Sequence, residues 1–194
     1  MRVLRLIITA GLFVLCGGVQ AASTNTNTLA IVLLRNAPAG LNDGKVDLSE
    51  IKLADKPLFA DRDFVRYDRR THTFAVTAES VRRMVKEFHP DQRPRKVDGK
   101  EVYELSAGAG RGEPFAWVIN GEIIYLGVFY SFYSSQTPYP LPRIDVSELV
   151  PVEGKEPVSF EIKAERSALA EPFVYGKDVR ADPRIMRALS RLGI

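Results

Sequence analysis

Two hydrophobic periods divide this chain into strands and helices. Leu29 to Arg35 (LAIVLLR) is apolar at every position but the last, the pattern of a strand buried on both faces. Pro38 and the pair Asp43-Gly44 then signal turns. Leu48 to Leu58 keeps no clean period and reads as no more than a short strand, and Asp61 to Tyr67 reads as a short helical turn. His72, Phe74 and Val76 alternate with Thr71, Thr73, Ala75 and Thr77, which is strand spacing. The period then changes. Val81, Met84, Val85 and Phe88 fall on one face of a helix, with Arg82, Arg83 and Lys86 on the others. Thr77 suits its N-cap, Glu79 its first turn, and Pro90 ends it.

Strand spacing returns downstream. Asp98-Gly99 predicts a small hairpin between Arg95–Val97 and Lys100–Leu105, and Ser106 to Pro114 (SAGAGRGEP) predicts a mobile loop. Asn120-Gly121 joins two strands, Phe115–Ile119 and Glu122–Tyr130, because both residues accept the positive φ of a type I′ turn. Ile123, Tyr125, Gly127 and Phe129 take one face of the second strand, and Ile124, Leu126, Val128 and Tyr130 the other. Apolar residues on both faces predict a central strand covered twice. Leu141–Val146 and Val158–Lys163 are further short strands. A last helix starts at the cap Asp182 with Pro183 at its first position. Its stripe is Ile185, Leu189 and Leu192, Gly193 fits just past its end, and Arg184, Arg187 and Arg191 line another face. These elements predict an α+β fold, a largely antiparallel sheet with two main helices packed on one face.

The N-terminus changes the meaning of the composition. Arg2 and Arg5 precede an apolar run from Leu6 to Leu15, and Val19-Gln20-Ala21 follows with small residues where a signal peptidase reads. The run is about half the ~20 residues that cross a bilayer. Residues 1–21 are therefore expected to be an export signal, 22–28 a flexible lead-in, and 29–194 one domain with a mobile insertion around 90–113. Lipid attachment at Cys16 is disfavoured, because Leu15 stands where a small residue is needed. Cleavage after Ala21 removes the single cysteine, leaving no disulfide and no thiolate. It also removes two arginines and no acid, so the formal charge falls from +3 to +1. A balanced chain of about 170 residues fits one periplasmic domain and argues against nucleic acid.

Candidate chemistry is sparse. The Gly108–Gly112 run resembles a phosphate loop, but a strand follows it rather than a helix N-terminus. His72 and His89 are the only histidines and lack metal-ligand spacing. Ser106 lacks the leading glycine of a nucleophile elbow. No metal and no cofactor are expected. The densest feature is the aromatic stretch: Tyr125, Phe129, Tyr130, Phe132, Tyr133 and Tyr139. Residues up to Phe129 suit a core, whereas Ser131 to Pro142 carries too many turn formers for a strand. Tyr130, Phe132, Tyr133 and Tyr139 are thus candidates for a contact rim.

Two stretches carry a resemblance. Phe59–Met84 (FADRDFVRYDRRTHTFAVTAESVRRM) and Pro114–Ser135 (PFAWVINGEIIYLGVFYSFYSS) resemble a group of small exported bacterial proteins of unknown function, as does the ending DPRIMRALSRLGI. The order of strand, VTAESVRRM helix and WVINGEII hairpin is also similar to the periplasmic head domain of the SecD translocase subunit. That resemblance implies a non-enzymatic α+β module and supplies no catalytic residues. Asn120 stands where that head has aspartate, and Pro94–Gly112 is an insertion. The segment shared with the exported group includes Tyr67, Thr71, His72, Tyr125, Gly127 and Phe129, which implies a site where the two stretches meet. The leading expectation is an exported, non-catalytic module that contacts an envelope protein or a small ligand through the aromatic loop. A hydrolase-like enzyme and a structural envelope protein are the alternatives.

Overall fold

The computed structural model describes residues 29–41, 46–106, 112–131, 133–136, 139–164 and 178–194. The export-signal, lead-in and Cys16 readings fall outside the described residues, as do Gly108–Arg111 and Phe132.

The chain runs through β1 (Leu29–Leu33), β2 (Phe59–Ala60), β3 (Phe64–Asp68), β4 (Thr73–Val76), α1 (Ala78–Phe88), β5 (Arg95–Val97) and β6 (Lys100–Ser106). It continues through β7 (Glu113–Ile119), β8 (Glu122–Tyr130), β9 (Arg143–Asp145), β10 (Ser147–Pro151), β11 (Val158–Lys163) and α2 (Pro183–Arg191). Eight strands form one sheet in the order β2-β1-β7-β8-β9-β11-β4-β3, and β10-β6-β5 form a second. The fold is α+β, but its finer layout differs from expectation. The large sheet is mixed, with β8 and β9 running parallel. It also curls nearly into a barrel, because its two end strands, β2 and β3, are separated in the chain only by the 3-10 turn Asp61–Asp63. Sequence periodicity marks which residues point inward but does not encode how far a sheet coils.

Two carboxylates hold that corner. Asp61 Oδ1 accepts the N–H of Leu29, the first residue of β1, at 2.6 Å. The buried Asp63 accepts the Ala60 N–H at 3.0 Å and an Arg83 N–H at 2.8 Å. The Asp63 carbonyl accepts from Thr77, the N-cap of α1. One turn thus fixes β1, β2 and α1 together.

Both helices feed one interior cluster rather than a shared sheet face. Val81, Met84 and Val85 of α1 join Ile185, Ala188 and Leu189 of α2 around the aromatics Phe59, Phe74, Phe115, Trp117 and Phe160. The rings meet edge-on or tilted, as between Phe74 and Trp117 at 5.8 Å and Phe115 and Phe129 at 4.7 Å. Such pairs add about 0.5–1.5 kcal/mol each beyond burial. The outer face of β1, β7 and β8 is covered by coil: Leu34, Ile51, Leu53 and Tyr139 pack on Ala116, Val118, Leu126 and Val128. The doubly covered strand foreseen for β8 is therefore present. A bulge beside Trp117 and Val118 switches the faces at its start, so that Ile124 points inward and Ile123 outward, reversing the simple alternation.

Several local expectations hold. Thr77 and Asp182 cap their helices, Gly193 takes φ 75°, and both Asp98-Gly99 and Asn120-Gly121 have positive φ in their turns. Asp61 to Tyr67 is only partly helical, its second half being β3. Of the stretch expected as a mobile insertion, residues 95–97 and 100–106 form strands paired to each other and to β10.

Gly127 faces Phe115 across the β7–β8 pair, and a Cβ there would lie 2.3 Å from the ring. Gly127→Ala should therefore destabilise by about 1–3 kcal/mol through overpacking. Asp63→Ala should lose about 2–3 kcal/mol, since it strands a buried N–H and an arginine. Arg83→Ala leaves the buried Asp63 carboxylate without its guanidinium and should lose about 3 kcal/mol, at least as much as Asp63→Ala. Urea unfolding of the three variants checks both magnitude and order.

Candidate functional site

The turn from β3 to β4 brings His72 into a side-chain cluster with the segment before α2. His72 is not part of a strand. Its φ is 53°, a left-handed conformation, and β4 begins only at Thr73. The strand face inferred from His72, Phe74 and Val76 therefore fails at its first member. The turn itself is set by Asp68, whose carboxylate accepts the N–H groups of Arg70 and Thr71. The Tyr67 hydroxyl lies 3.1 Å from His72 Nδ1 and 3.5 Å from the Arg180 carbonyl oxygen. His72 Nε2 faces Asp178 Oδ2 at 3.8 Å. Arg180 is clamped by both Asp178 carboxylate oxygens and donates to the Ile162 carbonyl at 2.9 Å. The Ile162 N–H in turn donates to the His72 carbonyl.

Electrostatics fix what this cluster can do. Burial pushes the Tyr67 hydroxyl up to about 12, partly offset by Arg180. Burial, and then the Arg180 charge, hold His72 below its ordinary value, against the opposing pull of Asp178 and Asp68. Hydrogen bonds from Arg180 keep Asp178 below the usual carboxylate range. The tyrosine is thus a poor nucleophile and the imidazole is neutral at pH 7. Arg180 also lies within electrostatic reach of Tyr125 on β8. The geometry of the cluster is that of a clasp joining β3, β11 and the approach to α2. Tyr67, Asp178 and Arg180 were not foreseen as one cluster. Arg-Ala-Asp-Pro at 180–183 announced only the helix cap.

The aromatic stretch divides three ways. Tyr125 and Phe129 are fully buried, with Tyr125 stacked on Trp117 at 5.8 Å, so neither offers a contact surface. Tyr139 is half-buried against the outer cluster. Tyr130 is also half-buried, with its hydroxyl 2.6 Å from the Gln136 carbonyl and 3.1 Å from that of Ser134. Tyr133 stands out at 77% exposed. The topology explains the loop: parallel strands cannot be joined by a tight turn. The chain must travel back along the sheet before β9 begins, and Tyr139 and Leu141 cover the outer face on the way.

A cleft of about 420 Å³ opens elsewhere, between α1 and the chain leading into β2. Leu33, Ala54, Pro57 and Leu58 form its apolar wall. Arg35 and Asp55 pair with each other at its rim, and α1 contributes Arg83 and Glu87. None of these positions carried a sequence signal, because they come from three separate segments. Among the described residues, no group of three or more His, Cys, Asp and Glu side chains could hold a metal ion, and no helix is long and apolar enough to cross a membrane.

The depressed His72 gives a pH signature. Between its folded value and about 6.5 the unfolded chain binds the proton more readily, so this contribution to stability is complete above about pH 6.5 and falls as pH drops through the folded value. Wild-type melting temperature should therefore decline between pH 7.5 and 5.5. His72→Asn, which keeps a residue tolerant of positive φ, should flatten that decline. Thermal melts across this window check the difference.

Comparisons with known proteins returned no matching family model, no matching curated protein and no matching solved structure.

Proposed function

We propose that this protein is an exported, non-catalytic binding module that engages a partner in the cell envelope through the loop after β8, with Tyr133 as its anchor. One observation carries the reading. The Tyr130 hydroxyl ties down the Ser134 and Gln136 carbonyls, and between these contacts the Tyr133 ring is 77% exposed. A turn bond from Ser134 N–H to the Ser131 carbonyl and another from Gln136 N–H to Ser134 Oγ brace the same loop. An aromatic held out on a braced backbone sacrifices little conformational freedom when it docks, which is what makes tyrosine a frequent interface anchor. The export signal read from Arg2 through Ala21 supports an envelope location, and the partner class is a protein presenting a pocket for one ring.

The test is capture from envelope extract by wild type and Tyr133→Ala, followed by reconstitution of the captured protein with each purified variant. Tyr133→Ala should keep the wild-type melting temperature and weaken the reconstituted complex by about 2 kcal/mol, roughly 30-fold. Equal affinity for both proteins removes the loop as the recognition surface.

A further inference from the structure

We propose that the cleft between α1 and the chain entering β2 binds a small zwitterion with an apolar body, of the class of a short peptide with free ends. A volume of about 420 Å³ suits a ligand of dipeptide size. The charges around it decide the class. Arg35 is engaged by Asp55 and by the Leu53 carbonyl, and Arg83 by the buried Asp63. Lys56 and Glu87 face the same cleft and have no ion-pair or hydrogen-bond partner among the described residues. They stand on different elements, one before β2 and one on α1, with the apolar wall of Leu33 and Leu58 in the same cleft.

Each simpler ligand leaves one of these charges opposed. An anion drawn to Lys56 meets the Glu87 carboxylate, and a cation drawn to Glu87 meets Lys56. A fully apolar ligand covers both charges and pairs neither, which is unfavourable. A zwitterion answers both: its carboxylate takes the Lys56 ammonium, its ammonium takes Glu87, and its side chain lies on Leu33 and Leu58. The half-exposed Arg83 guanidinium has donors left over after its bond to Asp63, and these add a second contact for the carboxylate. This site is separate from the loop that carries Tyr133.

The experiment is an NMR titration of the protein with leucyl-leucine, its N-acetylated form and its C-terminal amide. Leucyl-leucine should shift the backbone amides of Leu33, Leu58 and Glu87 at millimolar concentration. Lys56→Ala and Glu87→Ala, both at exposed positions, should each weaken it about tenfold. The acetylated probe should lose its dependence on Glu87, and the amide its dependence on Lys56. Tyr133→Ala should bind the probe as wild type does, so this proposal and the loop reading fail separately. Absence of shifts at the cleft, shifts confined elsewhere, or capped probes that bind as tightly as leucyl-leucine with unchanged sensitivity overturns the assignment.

Discussion

One buried carboxylate keeps the ends of the large sheet together. Without the Asp61–Asp63 turn, β2 and β3 are simply the two edges of an eight-stranded sheet. With it, they are neighbours in the chain, and the sheet has to coil to bring them there. Asp63 stabilises the corner because its side chain is almost out of water yet meets a backbone N–H and a guanidinium. A charge in that position favours the folded chain only while both donors are present. The coil then sets the rest: it creates an interior that aromatics from both halves of the chain can fill, and it leaves the helices as contributors to that interior rather than as a separate layer.

The same coil explains where reactive groups ended up. His72, Tyr67, Asp178 and Arg180 converge because the β3–β4 turn and the approach to α2 meet at β11. Their mutual bonds occupy most of their polar atoms and tie the β3–β4 turn to the approach to α2. Tyr133 instead projects from coil, and the cleft beside α1 combines helix and coil with Leu33 at the end of β1.

How much was legible depended on the range of the interaction. Caps and turns are encoded within a few residues, so Thr77, Asp182, Asp98-Gly99 and Asn120-Gly121 could be read directly. The two-sided burial of β8 was equally plain from its composition. The bulge at Ile124 was not, because it depends on how β7 aligns with β8. The parallel β8–β9 pair, the closure at Asp63 and the gathering of Lys56 with Glu87 all join residues far apart in sequence. No period of two or 3.6 residues carries that information. The aromatic stretch was half legible: Tyr125 and Phe129 had the apolar neighbours of a core, whereas the fates of Tyr130 and Tyr139 rested on the course of the crossover.

The position of β11 has a consequence for how the chain is made. Among the described residues it alone joins β9 to β4, and so bridges β2-β1-β7-β8-β9 and the β3–β4 pair. It is also the last of these strands in sequence. A chain growing from its N-terminus carries two unfilled edges until Val158–Lys163 emerges, and each offers a row of open N–H and C=O groups to any other strand nearby. Val76 waits for Val158 and Ile144 for Ile162. Completion of the sheet thus waits for the last of these strands, and a product that stops short of β11 is left with two adhesive borders.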